Sequence, residues 1–177
     1  MKKFEIVVAF ERKLGIGKDN VIPWKCSEDI QNFKRITTGN IVIMGRNTFE
    51  SLPNGGLPNR ENVVITRNTK IKGVACFKSL DEALQAYNQD SRKVFVIGGG
   101  QLYKEAVKHG SFKNLHVTFI KEDHDCDVKF PELPINRYVP ITVEKLTENA
   151  IYVNCIKKNK LSDKDNDKLR MLQSMLK

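Results

Sequence analysis

Eight short apolar runs rich in β-branched residues, at 4–10, 41–44, 62–66, 74–77, 94–97, 115–120, 138–146 and 151–156, alternate with segments of helical character. Strands that are apolar throughout are buried on both faces, so the alternation implies a largely parallel sheet with helices on both sides, an α/β fold. The last two runs are separated by only a few residues, Glu148 and Asn149 among them, and read as a hairpin that adds an antiparallel strand. At 177 residues the chain is long enough for one domain and too short for two. Ser27 is placed to cap a helix over 28–37, and Ser79 with Glu82 has the spacing of a capping box that opens a helix over 83–87. A shorter helix over 47–52 stops at Pro53, and Gly98, Gly99 and Gly100 join a strand directly to a helix over 101–107. After Ile156 the chain turns polar, with Ser162 as a cap and Leu169, Leu172 and Leu176 spaced as an amphipathic helix. The expected organisation is a domain over 1–157 and a helical C-terminal extension over 158–177.

Composition narrows the function. With 40% hydrophobic and 29% charged residues the chain is neither disordered, collagen-like nor membrane-embedded. Four scattered cysteines without a C-x-x-C pair suggest reduced thiols, no zinc site and a cytoplasmic address. The first apolar run is too short for a signal peptide or a membrane span. A formal charge of +9 suits an anionic partner. A nucleic-acid module is therefore an alternative, but Lys and Arg are not clustered with stacking aromatics as such a module requires. His109, His116 and His124 lack both a paired nucleophile and ligand spacing, which argues against triad hydrolysis and metal chemistry.

Two glycine-bearing junctions can cradle an anion. Gly98 to Gly100 offers backbone N–H groups at a helix start, although Tyr103 stands where a G-x-G-x-x-G pattern needs its last glycine, and a plain structural turn is an equal reading. Gly45, Arg46, Asn47 and Thr48 follow another apolar strand and open another helix. Two such cradles suit a diphosphate better than a single phosphate. Asp29 falls in the first turn of its helix with Phe33 and Ile36 on the same face. Burial would raise its pKa and the helix terminus would lower it; the competing reading is a solvated capping residue. Trp24, the single tryptophan, follows Pro23 and has core packing as its plain reading.

In combination these blocks resemble the dihydrofolate reductase family: Leu14-Gly15-Ile16-Gly17, Ile22-Pro23-Trp24, Asp29 with Phe33, Ile43 through Ser51, Leu57-Pro58-Asn59-Arg60, Ile97 through Tyr103, then Thr118, Asp127 and Phe130-Pro131. The resemblance covers roughly residues 4–157. It implies an eight-stranded, mostly parallel sheet with an antiparallel C-terminal strand, and NADPH-dependent reduction of 7,8-dihydrofolate to 5,6,7,8-tetrahydrofolate. Hydride would pass to pterin C6 and a proton to N5, with the electrons carried by the cofactor.

The resemblance also implies roles. Asp29, held by Thr118 and accompanied by Trp24, would form the catalytic group. The substrate would lie against Val8, Ala9, Ile30, Phe33, Lys34, Leu52, Leu57, Ile97 and Tyr103, with Arg60 on its glutamate α-carboxylate. The cofactor would meet Ala9 and Ile16 at the nicotinamide and Gly45, Arg46, Asn47 and Thr48 at its phosphates, with Ser51, Ile97 and Tyr103 also among its contacts. Gly98, Gly99, Gly100, Gln101 and Leu102 would line the pyrophosphate, and Thr66, Arg67 and Lys78 the adenosine ribose with its 2′-phosphate. A cis Gly98–Gly99 bond and a loop over 11–25 that covers the nicotinamide are implied as well. No metal is expected. Partners would be dihydrofolate and antifolates, with no membrane, no required nucleic acid, a monomeric state, and a fusion to or association with thymidylate synthase. Asn47, Cys26 and Phe49 depart from common family residues, and Asn47 removes a positive charge near the phosphates. The reductase of riboflavin synthesis is a rival on the same fold, though it is not expected to combine Pro23-Trp24 with Asp29 and Arg60.

Overall fold

The structure is a computed structural model that describes residues 1–67 and 70–177. In chain order its elements are β1 (Phe4–Glu11), β2 (Gly15–Gly17), α1 (Ser27–Thr37), β3 (Ile41–Gly45), α2 (Arg46–Ser51), β4 (Glu61–Ile65), β5 (Ala75–Phe77), α3 (Leu80–Ala86), β6 (Val94–Val96), α4 (Gly100–Val107), β7 (Phe112–Ile120), β8 (Val128–Lys129), β9 (Tyr138–Thr147), β10 (Ala150–Lys157) and α5 (Asp163–Met175). The eight apolar runs are the strands of one sheet, ordered β5-β4-β3-β6-β1-β7-β10-β9. β3 pairs in parallel with β4 and β6, β4 with β5, and β1 with β6. β10 is the antiparallel strand, paired with β7 on one side and β9 on the other. The closing hairpin therefore docks through its second strand and leaves β9 at the edge.

Local chemistry explains where the elements depart from expectation. α1 begins at Ser27 itself, whose hydroxyl donates to the Glu28 carboxylate at 3.3 Å. Ser79 Oγ accepts from Glu82 N at 3.1 Å, but the Glu82 carboxylate reaches the N–H of Lys78, not that of Ser79. The full reciprocal box occurs instead at α5, between Ser162 and Asp165. β2 and β8 form a separate two-stranded sheet. Two glycines in three residues give β2 no strand propensity of its own, so its pairing partner creates it.

By contacts the chain divides into two compact units, Met1–Val7 with Phe33–Phe112, and Val8–Asn32 with Lys113–Lys177. The first unit is built on Val42, Met44, Phe49, Val64 and Phe95, against which Ile36, Leu52, Leu57 and Ile97 pack. In the second, Trp24, Ile120 and Ala150 form a buried cluster with Ala9, Cys26, Cys126 and Leu146 around it. α5 belongs to the second unit and buries Leu169 and Leu172, while Lys158 Nζ lies 3.0 Å from Asp165 Oδ1 at its start. Burial pushes the Cys155 thiol up to about 12. Among the described residues no helix is long and apolar enough to cross a membrane, and no group of His, Cys, Asp and Glu could hold a metal ion.

Candidate active site

In the first unit β5, β4, β3 and β6 run parallel, so their carboxyl ends share one edge, the usual ligand edge of such sheets. Along that edge stand Lys78 after β5, Thr66 and Arg67 after β4, Gly45 to Thr48 at the end of β3, and Gly98 to Leu102 after β6. The two glycine junctions, far apart in the chain, are thus neighbours: Gly45 N donates to Gly98 O at 2.8 Å. The cradle depends on missing side chains. A Cβ on Gly99 would come 3.3 Å from Thr48 Oγ1, and one on Gly98 (φ 123°) would come 3.3 Å from the Tyr103 ring. The Gly98–Gly99 bond is cis. Tyr103 is buried, and its hydroxyl donates to Val7 O at 2.7 Å, so its ring acts as the floor under Gly98. Ser51 Oγ donates to Thr48 O at 2.6 Å, and Arg46 Nε lies 2.7 Å from Glu50 Oε1. Asn47, Arg67, Lys78 and Gln101 are exposed, whereas Leu102 is buried. This backbone-rich, basic-edged cradle fits a dinucleotide diphosphate.

Arg60 is the second feature of this unit. Its Nε donates to Pro58 O at 2.9 Å and its Nη1 to Thr37 Oγ1 at 3.1 Å, and the guanidinium carbon sits 5.9 Å from the centroid of the Phe33 ring. Burial lowers its pKa, and among the described residues no carboxylate lies within ion-pair distance of it. A guanidinium held at two points, partly desolvated and without a counter-charge is prepared for an incoming carboxylate. Leu52, Leu57 and Ile97 are half-buried, and Lys34 is exposed.

In the second unit α1 places Asp29 against β7, where Thr118 Oγ1 donates to Asp29 Oδ1 at 2.6 Å. Burial raises the Asp29 pKa, and the Thr118 hydrogen bond opposes that rise. The balance left open by the sequence therefore falls on the side of desolvation. One carboxylate oxygen is anchored, and the group can still accept hydrogen bonds from a ligand edge that presents paired donors. Trp24 is 9% exposed and packs with Ile120 and Ala150, the neighbours of its core reading. Val8 is buried, Ala9 and Ile16 are half-buried, and Ile30 is 67% exposed.

Sequence reasoning missed Glu11. This carboxylate at the end of β1 is 2% exposed. An acidic residue closing an apolar run normally marks the surface, and its partner His124 lies 113 positions away, so no local signal could have found it.

A family model described as dihydrofolate reductase matches residues 3–158. A bifunctional dihydrofolate reductase-thymidylate synthase of Paramecium tetraurelia is 41% identical over 167 residues, which cover 89% of this chain and 35% of that protein. The chain thus spans about a third of the length of that bifunctional relative. A dihydrofolate reductase of Pneumocystis carinii is 40% identical, covering 73% of this chain and 74% of its own length. A dihydrofolate reductase type 3 of Salmonella typhimurium is 42% identical, covering 72% of this chain and 77% of its own. With a matched family model over nearly its whole length, relatives at this identity and the expected sheet, the chain belongs to the dihydrofolate reductase family.

Proposed function

We propose that this chain reduces 7,8-dihydrofolate to 5,6,7,8-tetrahydrofolate with NADPH, and that Asp29 is the group on which the pterin is fixed. The observation that carries the reading is the Asp29–Thr118 pair: a carboxylate raised by burial and held by one hydroxyl at 2.6 Å. The pterin 2-amino group and N3 present two donors in line, which a single carboxylate accepts. Ionised Asp29 then favours a proton on the ring, the charge state that prepares N5 and C6 for reduction. Thr118 fixes the carboxylate, and buried Trp24 helps to exclude water. Arg60 takes the substrate's α-carboxylate at a point remote from the reacting atoms, and Phe33, Leu52, Leu57 and Ile97 supply apolar surface for the substrate body.

NADPH, when bound, supplies the hydride. Gly45, Arg46, Asn47, Thr48 and Ser51 would hold its phosphates, and Gly98 through Tyr103 its pyrophosphate. Thr66, Arg67 and Lys78 would meet the 2′-phosphate, and Ala9, Ile16 and Ile97 the nicotinamide. The loss of positive charge at Asn47 leaves more of the phosphate attraction to Arg46 and to backbone N–H groups. The chain would work as a monomer in the cytoplasm, in keeping with its free cysteines. Residues 158–177 would form an extension to the reductase domain over 1–157. The bifunctional Paramecium relative supports a fusion to or association with thymidylate synthase at that extension, which co-purification with that enzyme would test.

The experiment is the loss of NADPH absorbance on adding dihydrofolate to the purified chain, with tetrahydrofolate identified as the product. Turnover is expected. A folded protein that leaves NADPH unoxidised would overturn the reading, and salt-sensitive retention on DNA in its place would favour the basic binding module.

A further inference from the structure

Glu11 is buried where an apolar side chain would fill the space without desolvating a charge, so its cost must be offset by what it holds. Its Oε2 accepts the backbone N–H of His124 and lies 3.4 Å from His124 Nδ1. Its Oε1 faces Gly15, where a Cβ would stand 2.5 Å from that oxygen and 2.5 Å from Cys126 Cβ. The Cys126 thiol, pushed up to about 11 by burial, hydrogen-bonds the same carboxylate. The His124 ring lies 5.6 Å from the Trp24 ring, and its Nε2 lies 3.3 Å from Glu122 Oε2. One buried carboxylate therefore meets three segments at once: the end of β1, the β2 segment and the 122–127 turn. Backbone bonds run beside it, from Leu14 N to Glu11 O at 2.8 Å, Phe130 N to Leu14 O at 2.7 Å, and Asp127 N to Gly17 O at 3.0 Å.

We propose that Glu11 is a positioning residue for the reduction: by holding the His124 N–H and the Cys126 thiol at the end of β1, close against Gly15, it sets the segment 14–24, and with it Ile16 and Trp24, in the arrangement that receives the nicotinamide. This inference rests on the function proposed above, and Glu11 acts through its neighbours and not on the reacting atoms.

The test uses the full chain with Glu11→Ala, which removes the carboxylate, and Glu11→Gln, which keeps its shape and one acceptor oxygen. Removing hydrogen bonds to a charged group corresponds to roughly a tenfold or larger effect. Glu11→Ala should weaken NADPH binding about tenfold, speed amide exchange at Gly15, Gly17 and Asp19 by a similar factor, and change dihydrofolate binding less than about twofold. Glu11→Gln should recover most of the loss. Should Glu11→Ala not fold, Glu11→Asp, which keeps the charge but draws the carboxylate back from the His124 N–H and the Cys126 thiol, is expected to show the same NADPH-selective weakening. Equal weakening of both ligands, or unchanged exchange and NADPH affinity in a folded variant, would overturn the assignment. Exchange is read without ligands, so a wild-type protein that fails to oxidise NADPH would sink the proposed activity and leave the Glu11 clamp to be judged on its own.

Discussion

Arg60→Ala removes a half-buried guanidinium that has two internal hydrogen bonds and, among the described residues, no carboxylate partner. With Nε turned to Pro58 O and one Nη1 hydrogen to Thr37 Oγ1, the remaining N–H groups can form a two-pronged grip on a carboxylate. Hydrogen bonds to a charged group contribute about 1.5–3 kcal/mol, and each 1.4 kcal/mol is a factor of ten, so dihydrofolate affinity should fall about 10–150-fold. The lost contact is remote from C6 and N5, so KM should rise while kcat stays within about threefold. Losing the Thr37 and Pro58 bonds should also cost on the order of 1 kcal/mol of stability, read as a modest fall in Tm. Arg60→Lys should recover little, because one ammonium cannot serve Pro58 O, Thr37 Oγ1 and two carboxylate oxygens together. The assay is steady-state NADPH oxidation, repeated with a pteridine substrate that lacks the glutamate moiety. That substrate should be nearly indifferent to the change. Equal sensitivity of both substrates, or an unaltered KM, would refute the placement.

Two further outcomes follow from the geometry. A Cβ on Gly45 would meet nothing nearer than 3.9 Å, so Gly45→Ala should keep its Tm yet weaken NADPH at least several-fold, because the ligand needs the space; unchanged titration would remove Gly45 from the cradle. Asp165 is held down to about 2 by the Ser162 N–H and Lys158, so its contribution to α5 is present above the unfolded carboxylate value near 4 and lost as pH falls through about 2. Asp165→Asn should flatten the dependence of Tm on pH in that window, and a slope equal to the parent's would count against the capping role.

How far the sequence reached depends on how local each cause was. The eight strands and the glycine junctions were legible because apolar runs and Gly98 to Gly100 act over a few residues. That Gly45 would sit against Gly98 required the parallel order of β3 and β6, which follows from the fold class and not from either motif. The direction of the Asp29 pKa shift was illegible because burial and the helix terminus oppose one another and burial is set by the whole fold; Thr118, 89 residues away, was anticipated through the family resemblance alone. β2 escaped notice because glycine carries no strand signal until β8 pairs with it. Tyr103 was expected among ligand contacts, and only the structure shows its hydroxyl committed to Val7 O. Ile30 was placed beside the substrate by the resemblance alone, and no local spacing singled it out; it is 67% exposed on α1.

Asp29→Asn tests the central claim most directly. Burial raises the Asp29 pKa, so its ionised form costs folding stability as pH rises through the folded value. The Asn variant should thus show no loss of Tm at neutral pH while kcat for dihydrofolate falls about 10²–10⁴-fold. Turnover equal to that of the parent in the folded variant would contradict the account.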